Sequence, residues 1–407
     1  MMTKRLYYTD AYATRFEGII VDRLDTPDGP AVALKETFFY PDSGGQPHDL
    51  GTIDDIPVTR VTEKGEVVLH ILERFPEKDT VECRIDVDRR HDHMQQHTGQ
   101  HILSAAFLDT ADAQTLSFHL GASRSTIDLD HAPIAPGVVS DVERKANRAV
   151  RRGHSIRSYF VKSEEAERLE LRKEPKVEGI LRIVDIEDFD RQACCGTHPK
   201  TTAEVGPIMI RAMERFKGGT RVEFVCGDRA LRDHKTSVER IRSLARVLSC
   251  PEEDLVETAT KLAEEKKGLA KQIQSLREEL LQNRAENWLT EAEQISDFKV
   301  LVREVEDVNP GELRLLTIFL TKDPSRVALL GARAQGRAHL VFGCSANTPG
   351  MDMAALLREV VPSVNGNGGG SPHMAQGGGP LLSGLAEALD AAKRTLVAVI
   401  KPEASEE

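Results

Sequence analysis

Four side chains constrain this chain more than any other feature. His97 and His101 stand four residues apart inside Met94 to Leu108, a stretch with apolar residues at helical spacing, no proline and one glycine. Four residues make about one helical turn, so both imidazoles project from one helix face and could chelate a single ion. Alone, that spacing is common and says little. Cys194-Cys-Gly-Thr-His198 repeats it at a glycine turn that follows a predicted strand. Together His97, His101, Cys194 and His198 offer three imidazoles and a thiolate, a borderline-soft donor set that suits tetrahedral Zn2+, one ion per chain. Two plainer readings stay open: a closed zinc staple with no free position, and no metal at all.

The six cysteines, at 83, 194, 195, 226, 250 and 344, are too sparse for a disulfide framework, so metal binding is the better use for any that has a purpose. No run of ~18 apolar residues occurs. The first ten residues, MMTKRLYYTD, lack an apolar signal core, and a cytoplasmic protein with no membrane partner is expected. A length of 407 residues, 40 % hydrophobic and 29 % charged, suits several folded domains.

The pattern along the chain predicts an α+β multidomain protein. Residues 1–88 hold short Val/Ile/Thr-rich strands at Ala31–Leu34, Val58–Val61 and Val67–Ile71, cut by turn residues, and are assigned to a small N-terminal β-barrel-like domain. Residues 89–235 form an α+β domain around the proposed zinc site. It has a second helix capped by Ser140 with Glu143 in a capping box, and strands near Ile156–Val161, Leu181–Ile186 and Val222–Cys226. Residues 236–297 are a helical or coiled-coil linker. Leu255, Leu262, Leu269 and Leu276 recur every seven residues, with Ala259, Lys266, Ile273 and Leu280 four after each. A solvated spacer helix and a dimer zipper both fit. Residues 298–407 read as α/β, with strands Phe298–Val302, Val327–Leu330 and Ala338–Phe342 and helices Pro310–Lys322, Asp352–Val360 and Leu381–Val399. A glycine-rich stretch separates the last two helices.

The residues resemble a known family. His97-xxx-His101 with Cys194-xxx-His198 is similar to the editing domain of alanyl-tRNA synthetase and its free-standing AlaX-type relatives, and threonyl-tRNA synthetase carries a similar domain. Phe39-Tyr-Pro-Asp-Ser-Gly-Gly-Gln-Pro47 resembles the glycine-rich motif before that domain. Ser117-Phe-His-Leu-Gly121, Ser125-Thr-Ile-Asp-Leu-Asp130 and Arg182-Ile-Val-Asp-Ile186 match the regions between. Pro372-His-Met-Ala-Gln-Gly-Gly-Gly379 resembles the DHHA1 domain of alanyl-tRNA synthetase. The 96 residues before His97 cannot hold an aminoacylation domain, so the resemblance implies the editing half alone, with no use of ATP. One position departs from the pattern: Cys195 replaces the first glycine of Cys-Gly-Gly-Thr-His. A residue other than glycine is strained there if φ must be positive, and its thiol could compete as a ligand. The resemblance assigns the thiolate to Cys194.

The resemblance implies hydrolysis of the ester on mischarged tRNA(Ala), with Ser-tRNA(Ala) as the main substrate and Gly-tRNA(Ala) second. An apolar synthetic pocket rejects an added hydroxyl poorly, whereas a hydrolytic pocket can hydrogen-bond it. Ser117, His119, Ser125 and Thr197 are the candidate pocket residues, against a plain reading as ordinary strand polar residues. With four protein ligands, zinc would orient or polarise the ester, and no general base stands out.

The tRNA-facing candidates are Gly44, Gly45 and Gln46 near the pocket, Arg148, Arg151 and Arg152 on the second helix, and Gly368, Gly369, Gly370, Gln376, Gly377 and Gly378. The last group would admit phosphates to backbone N–H groups, with the helix after Pro380 offering its N-terminus. A hairpin turn and a flexible linker are the plain readings of the two glycine groups.

The net charge of −11 seems to oppose a polyanion partner, but a phosphate chain responds to local patches. Arg144–Lys162 carries seven Lys/Arg and no acid, and Arg211–Arg246 ten Lys/Arg against five Asp/Glu. The rival function is a non-catalytic tRNA-binding module with a structural zinc. A threonyl-type editor is opposed by the C-terminal resemblance, and a phosphoesterase by the lack of an Asp-His-His motif. A homodimer through the helical or DHHA1-like region stays open.

Overall fold

The computed structural model describes residues 2–174, 179–345, 348 and 350–401. The chain divides into two compact units, Met1–Val247 and Leu248–Glu407. The first therefore contains both the N-terminal strands and the segment carrying the His and Cys pairs.

Strands Arg15–Thr26, Gly29–Leu34, Val67–Leu72, Ile56–Lys64, Gly51–Ile53 and Thr80–Ile85 close into a barrel in that order. Alternation drives it: in Thr80–Ile85, Val81, Cys83 and Ile85 are buried and the residues between them are exposed. Register shifts at Ile20/Asp22 and Val58/Arg60 mark bulges, which bend strands enough to close a small barrel. His70 sits wholly inside this unit, its Nδ1 donating to the Val32 carbonyl and its Nε2 paired with Thr37 Oγ1.

Asp86 caps the helix that leaves the barrel by accepting from the Arg89 amide. This helix, Val87–Ala111, is buried almost continuously from His93 to Phe107, polar residues included. It is therefore not a surface amphipathic helix but a central rod whose polar groups need partners. Around it stand an antiparallel sheet in the order Ile208–Phe216, Gly219–Cys226, Ser125–Leu129, Thr115–Leu120 and a smaller one of Ile156–Lys162, Ile180–Ile186, Asp190–Ala193. The helix Pro136–Arg152 starts four residues before the expected cap. Pro136, with φ preset for the first turn, begins it, and Ser140 lies inside, its hydroxyl donating to the Pro136 carbonyl. The helix Gly227–Leu248 ends the unit.

The second unit has a 34-residue helix, Leu255–Trp288, and a six-stranded mixed sheet in the order Glu293–Ile295, Phe298–Val305, Arg326–Ala334, Arg337–Cys344, Met374–Gly379, Asn367–Ser371. Helices Pro310–Leu320, Met353–Val360 and Leu385–Ile400 pack on it. The Gly-rich stretch is not a linker. Asn367–Ser371 and Met374–Gly379 pair as an antiparallel hairpin at the sheet edge, and the last helix begins at Leu385, well after Pro380. The seven-residue seam of the long helix is exposed within this unit at Leu262, Leu269, Ile273, Leu276 and Leu280. No helix among the described residues is long and apolar enough to cross a membrane.

Candidate metal centre

The central helix brings His97 and His101 to one side, and the loop after the strand Asp190–Ala193 delivers Cys194 and His198. The four donor atoms all lie within 4.8 Å of one another, and the three imidazoles are buried. Cys194 Sγ is 3.4 Å from both His97 Nε2 and His198 Nε2. A tetrahedron with Zn–N of about 2.0 Å and Zn–S of about 2.3 Å has edges of roughly 3.3–3.7 Å, so these separations suit zinc.

The opposite ring nitrogens are all engaged. His97 Nδ1 meets Gln46 Oε1 at 2.8 Å, His101 Nδ1 meets Asp190 Oδ2 at 3.0 Å, and His198 Nδ1 meets Thr98 Oγ1 at 2.8 Å. With Nδ1–H donating in each ring, every Nε2 carries its lone pair toward the centre, as a metal ligand requires. The carboxylate of Asp190 is held in turn by Arg172 Nε at 2.7 Å. Gln46 Nε2 donates to Thr197 Oγ1 and the Thr197 amide donates back to Gln46 Oε1. Arg182 Nη1 donates to the Cys194 and Gly196 carbonyls at 2.9 Å each, which fixes the loop.

The clustered groups shift one another's protonation. Burial opposes ionisation of Cys194, but His97, His198 and His101 around it outweigh burial and hold the thiol well below its ordinary value. Burial works to lower His101, yet the Cys194 charge and the Asp190 hydrogen bond raise it to about 9. For His198 burial dominates and, with the like charges of His97 and His101, lowers it to about 3 despite Cys194.

The structure changes several assignments. Gln46 is 2 % exposed and supports His97 and Thr197, so its side chain is not open to a tRNA. Gly45, at φ +80°, forms the turn beside it, and a Cβ there would sit 2.6 Å from Phe118, whose ring lies 5.5 Å from that of His97. Gly44 shares the turn at φ +54°. Thr197 is buried as a partner of Gln46. Ser117 and His119 are exposed and alternate with inward Phe118 and Leu120; Ser117 bonds Asp128 on the outer face. They project away from the ligand cluster. Ser125 faces inward, buried, its hydroxyl without a hydrogen-bond partner.

Arg148 and Arg152 line a cavity of about 480 Å³ with His154, while Arg151 is exposed outside that lining. Gly368, Gly369, Gly370, Gln376, Gly377 and Gly378 belong to the hairpin of the second unit. Cys195 carries no backbone strain and lies apart from the four donors. It is absent from the positive-φ residues and from the donor cluster, and burial pushes its thiol up. The glycine that matters is Gly196, where a Cβ would overlap the His97 ring.

Asp190, Thr98 and Arg172 escaped the sequence reading. Each supports a residue distant in the chain, 89 positions away for Asp190 and His101, so no local spacing announces them.

Residues 297–398 match the family described as the DHHA1 domain, and residues 181–223 match the threonyl and alanyl tRNA synthetase second additional domain. The chain is 31 % identical to an alanine–tRNA ligase of Pyrococcus abyssi, over 92 % of this chain and 42 % of the relative. It is 33 % identical to that of Halorubrum lacusprofundi, over 97 % of this chain and 44 % of the relative. The chain thus spans less than half the length of these curated relatives. The C-Ala domain of Aquifex aeolicus alanyl-tRNA synthetase is similar at 27 % identity, covering 27 % of this chain and 96 % of that one, with a TM-score of 0.24. The chain is therefore homologous to alanine–tRNA ligases in the part that holds these two domains.

Proposed function

We propose that this chain is a zinc-dependent aminoacyl-tRNA deacylase of the AlaX type that acts in trans on mischarged tRNA(Ala), hydrolysing the seryl ester, with the glycyl ester as a candidate further substrate. The observation that carries the reading is the buried cluster of three imidazoles and a thiolate, each ring held by its own buried partner, in a chain homologous to alanine–tRNA ligases. His97, His101, Cys194 and His198 would hold zinc, which supplies orientation and polarisation of the ester. Gln46, Asp190 and Thr98 fix the ring orientations. The Phe118 ring packs against the Gly45 turn and lies 5.5 Å from the His97 ring.

Four protein ligands leave no free position, and this favours a second reading, a tRNA-binding module with a structural zinc. Deacylation assays on Ser-, Gly- and Ala-tRNA(Ala), with and without chelator, separate the two. The first reading expects loss of the seryl ester, sparing of the alanyl ester and arrest by chelator. Retention of tRNA with the seryl ester intact would leave only the second.

A further inference from the structure

The segment 38–50, which carries Gln46, runs between the strands Glu36–Thr37 and Gly51–Ile53. Its backbone turns rather than pairs along a ladder, with an isolated bridge between Ser43 and Gln46. Yet Phe39, Tyr40 and Asp49 are fully buried and Gln46 is 2 % exposed. A buried segment without a ladder has to be held by side chains.

The central helix supplies the grip. Arg90 Nε donates to Asp49 Oδ1 at 3.0 Å, and Arg90 Nη2 donates to Asp49 Oδ2. The same guanidinium donates to the Phe38 carbonyl at 2.6 Å and to the Ala11 carbonyl at 2.7 Å. Asp49 Oδ2 also accepts the Tyr40 amide at 2.6 Å. Tyr40 passes the constraint on: its hydroxyl donates to the Ser43 carbonyl at 3.0 Å, and that carbonyl accepts the Gln46 amide at 3.0 Å. Gln46 Oε1 then meets His97 Nδ1 at 2.8 Å. Arg90 and His97 stand seven residues apart, about two turns, and so share a helix face. One helix therefore grips one segment twice, at Asp49 through Arg90 and at Gln46 through His97.

The side chain of Arg90 is 2 % exposed and that of Asp49 is wholly buried. A pair buried this deeply adds little net stability, because the desolvation of both charges offsets their attraction; what it can supply is one fixed geometry. We infer that Arg90 and Asp49 are positioning residues for the metal centre. They hold the segment 38–50 so that Gln46 Oε1 meets His97 Nδ1 and His97 Nε2 faces the metal. They act through Gln46 and are not ligands. The inference rests on the metal-binding part of the proposed function and stands whether or not an ester is cleaved.

The test uses the full chain and measures zinc affinity by competition with a chelating dye, below the melting temperature of every variant. Asp49→Asn replaces one carboxylate oxygen by an N–H2 donor that faces Arg90 in either rotamer, and it should weaken zinc about tenfold. Tyr40→Phe removes a single oxygen from the relay and should weaken zinc several-fold; it keeps the inference testable where Asp49→Asn fails to fold. Both losses should vanish in a Gln46→Ala background, where the acceptor they position is already gone. Asp92→Asn is the control. Asp92 accepts from Arg229 Nε at 2.7 Å and holds a different segment, since Arg229 also donates to the Gly121 carbonyl. This variant should lower the melting temperature and leave zinc affinity unchanged.

If Asp49→Asn and Tyr40→Phe leave zinc affinity within about twofold of the wild type, or cost as much in the Gln46→Ala background as alone, the inference falls while the metal centre stands. A wild-type chain that holds no zinc would overturn the metal centre and this inference together.

Discussion

The metal-ligand cluster of the first unit and the glycine hairpin of the second treat polar groups in opposite ways. In the cluster every donor atom belongs to a side chain, and each imidazole is held by another buried side chain: Gln46 on His97, Asp190 on His101, Thr98 on His198. In the hairpin the strand Asn367–Ser371 is exposed along its whole length and, as the last strand of its sheet, leaves one backbone edge unpaired. What it can offer is backbone, and that requires side chains to be missing. The first region should therefore fail when a group is removed, and the second when a single Cβ is added.

The largest effect tests the cluster. His101→Ala should abolish stoichiometric zinc, measured by metal analysis after dialysis, because it removes a buried ligand and leaves the Asp190 carboxylate facing Arg172 alone. Zinc at one per chain in this variant would move the site elsewhere. Gly196→Ala comes next and crosses the comparison, since here a Cβ is added inside the side-chain cluster. It would overlap the His97 ring and approach Gln46 Oε1 at 3.0 Å, so either the loop or the imidazole must move. Zinc affinity should fall by two orders of magnitude or more, with thermal stability down by about 2 kcal/mol. Cys195→Gly, one residue away, should change neither, since Cys195 carries no strained φ and lies apart from the four donors.

Gln46→Ala isolates the support from the ligands. Removing the acceptor of His97 Nδ1 frees that ring and should cost roughly 10- to 100-fold in zinc affinity. Direct tRNA contact by Gln46 would instead show as weaker tRNA binding with unchanged zinc.

His70 sharpens the meaning of a buried histidine. Both its nitrogens are bonded within the barrel, and it belongs to no donor cluster. Burial, only partly offset by the Val32 carbonyl, lowers it to about 4. In the unfolded chain it titrates near ~6.5, so on acidification the unfolded state takes up the proton first. The stability contributed by neutral His70 is complete above about pH 6.5 and is lost as pH falls toward 4, on the order of 3 kcal/mol at the lower end. Melts at pH 7 and pH 4.5 in chelator should show this loss in the wild type and a flatter dependence in His70→Gln.

Much of the secondary structure is legible because its signal is local. The helix through His97 and His101 and the strands Val67–Leu72 and Arg326–Ala334 follow apolar spacing within one element. The donor cluster is legible only in part this way: His97 and His101 stand one turn apart in a helix, whereas Cys194 and His198 lie four apart in a loop, and the family resemblance singles them out. Its support is not legible: Gln46 and Thr197 are 151 residues apart, and only the fold brings them to 2.8 Å. The hairpin escaped for a different cause. Glycine has no side chain to alternate between faces, so the glycine-rich strands Asn367–Ser371 and Met374–Gly379 carry little strand periodicity although they pair in register. Ser140 misled because a capping pattern also fits a helix interior, where a serine hydroxyl simply bonds the carbonyl four residues back.

The smallest effect on stability tests the hairpin and is the most informative about it. A Cβ on Gly369 meets nothing within 4 Å, whereas one on Gly368 would sit 2.7 Å from Gly377 Cα and 2.8 Å from the Gln376 carbonyl oxygen. Gly368→Ala should therefore lower the melting temperature by pushing the two strands apart. Gly369→Ala should leave stability within about 0.5 kcal/mol of wild type or raise it slightly, since alanine loses less backbone entropy on folding. If the exposed backbone of this strand meets RNA, Gly369→Ala should weaken retention of tRNA(Ala) several-fold while the melt stays unchanged, because the methyl blocks close approach and nothing else. Unchanged retention would remove Gly369 from the RNA-facing surface. The glycines of this hairpin would then serve only to let its two strands and their neighbours pack together.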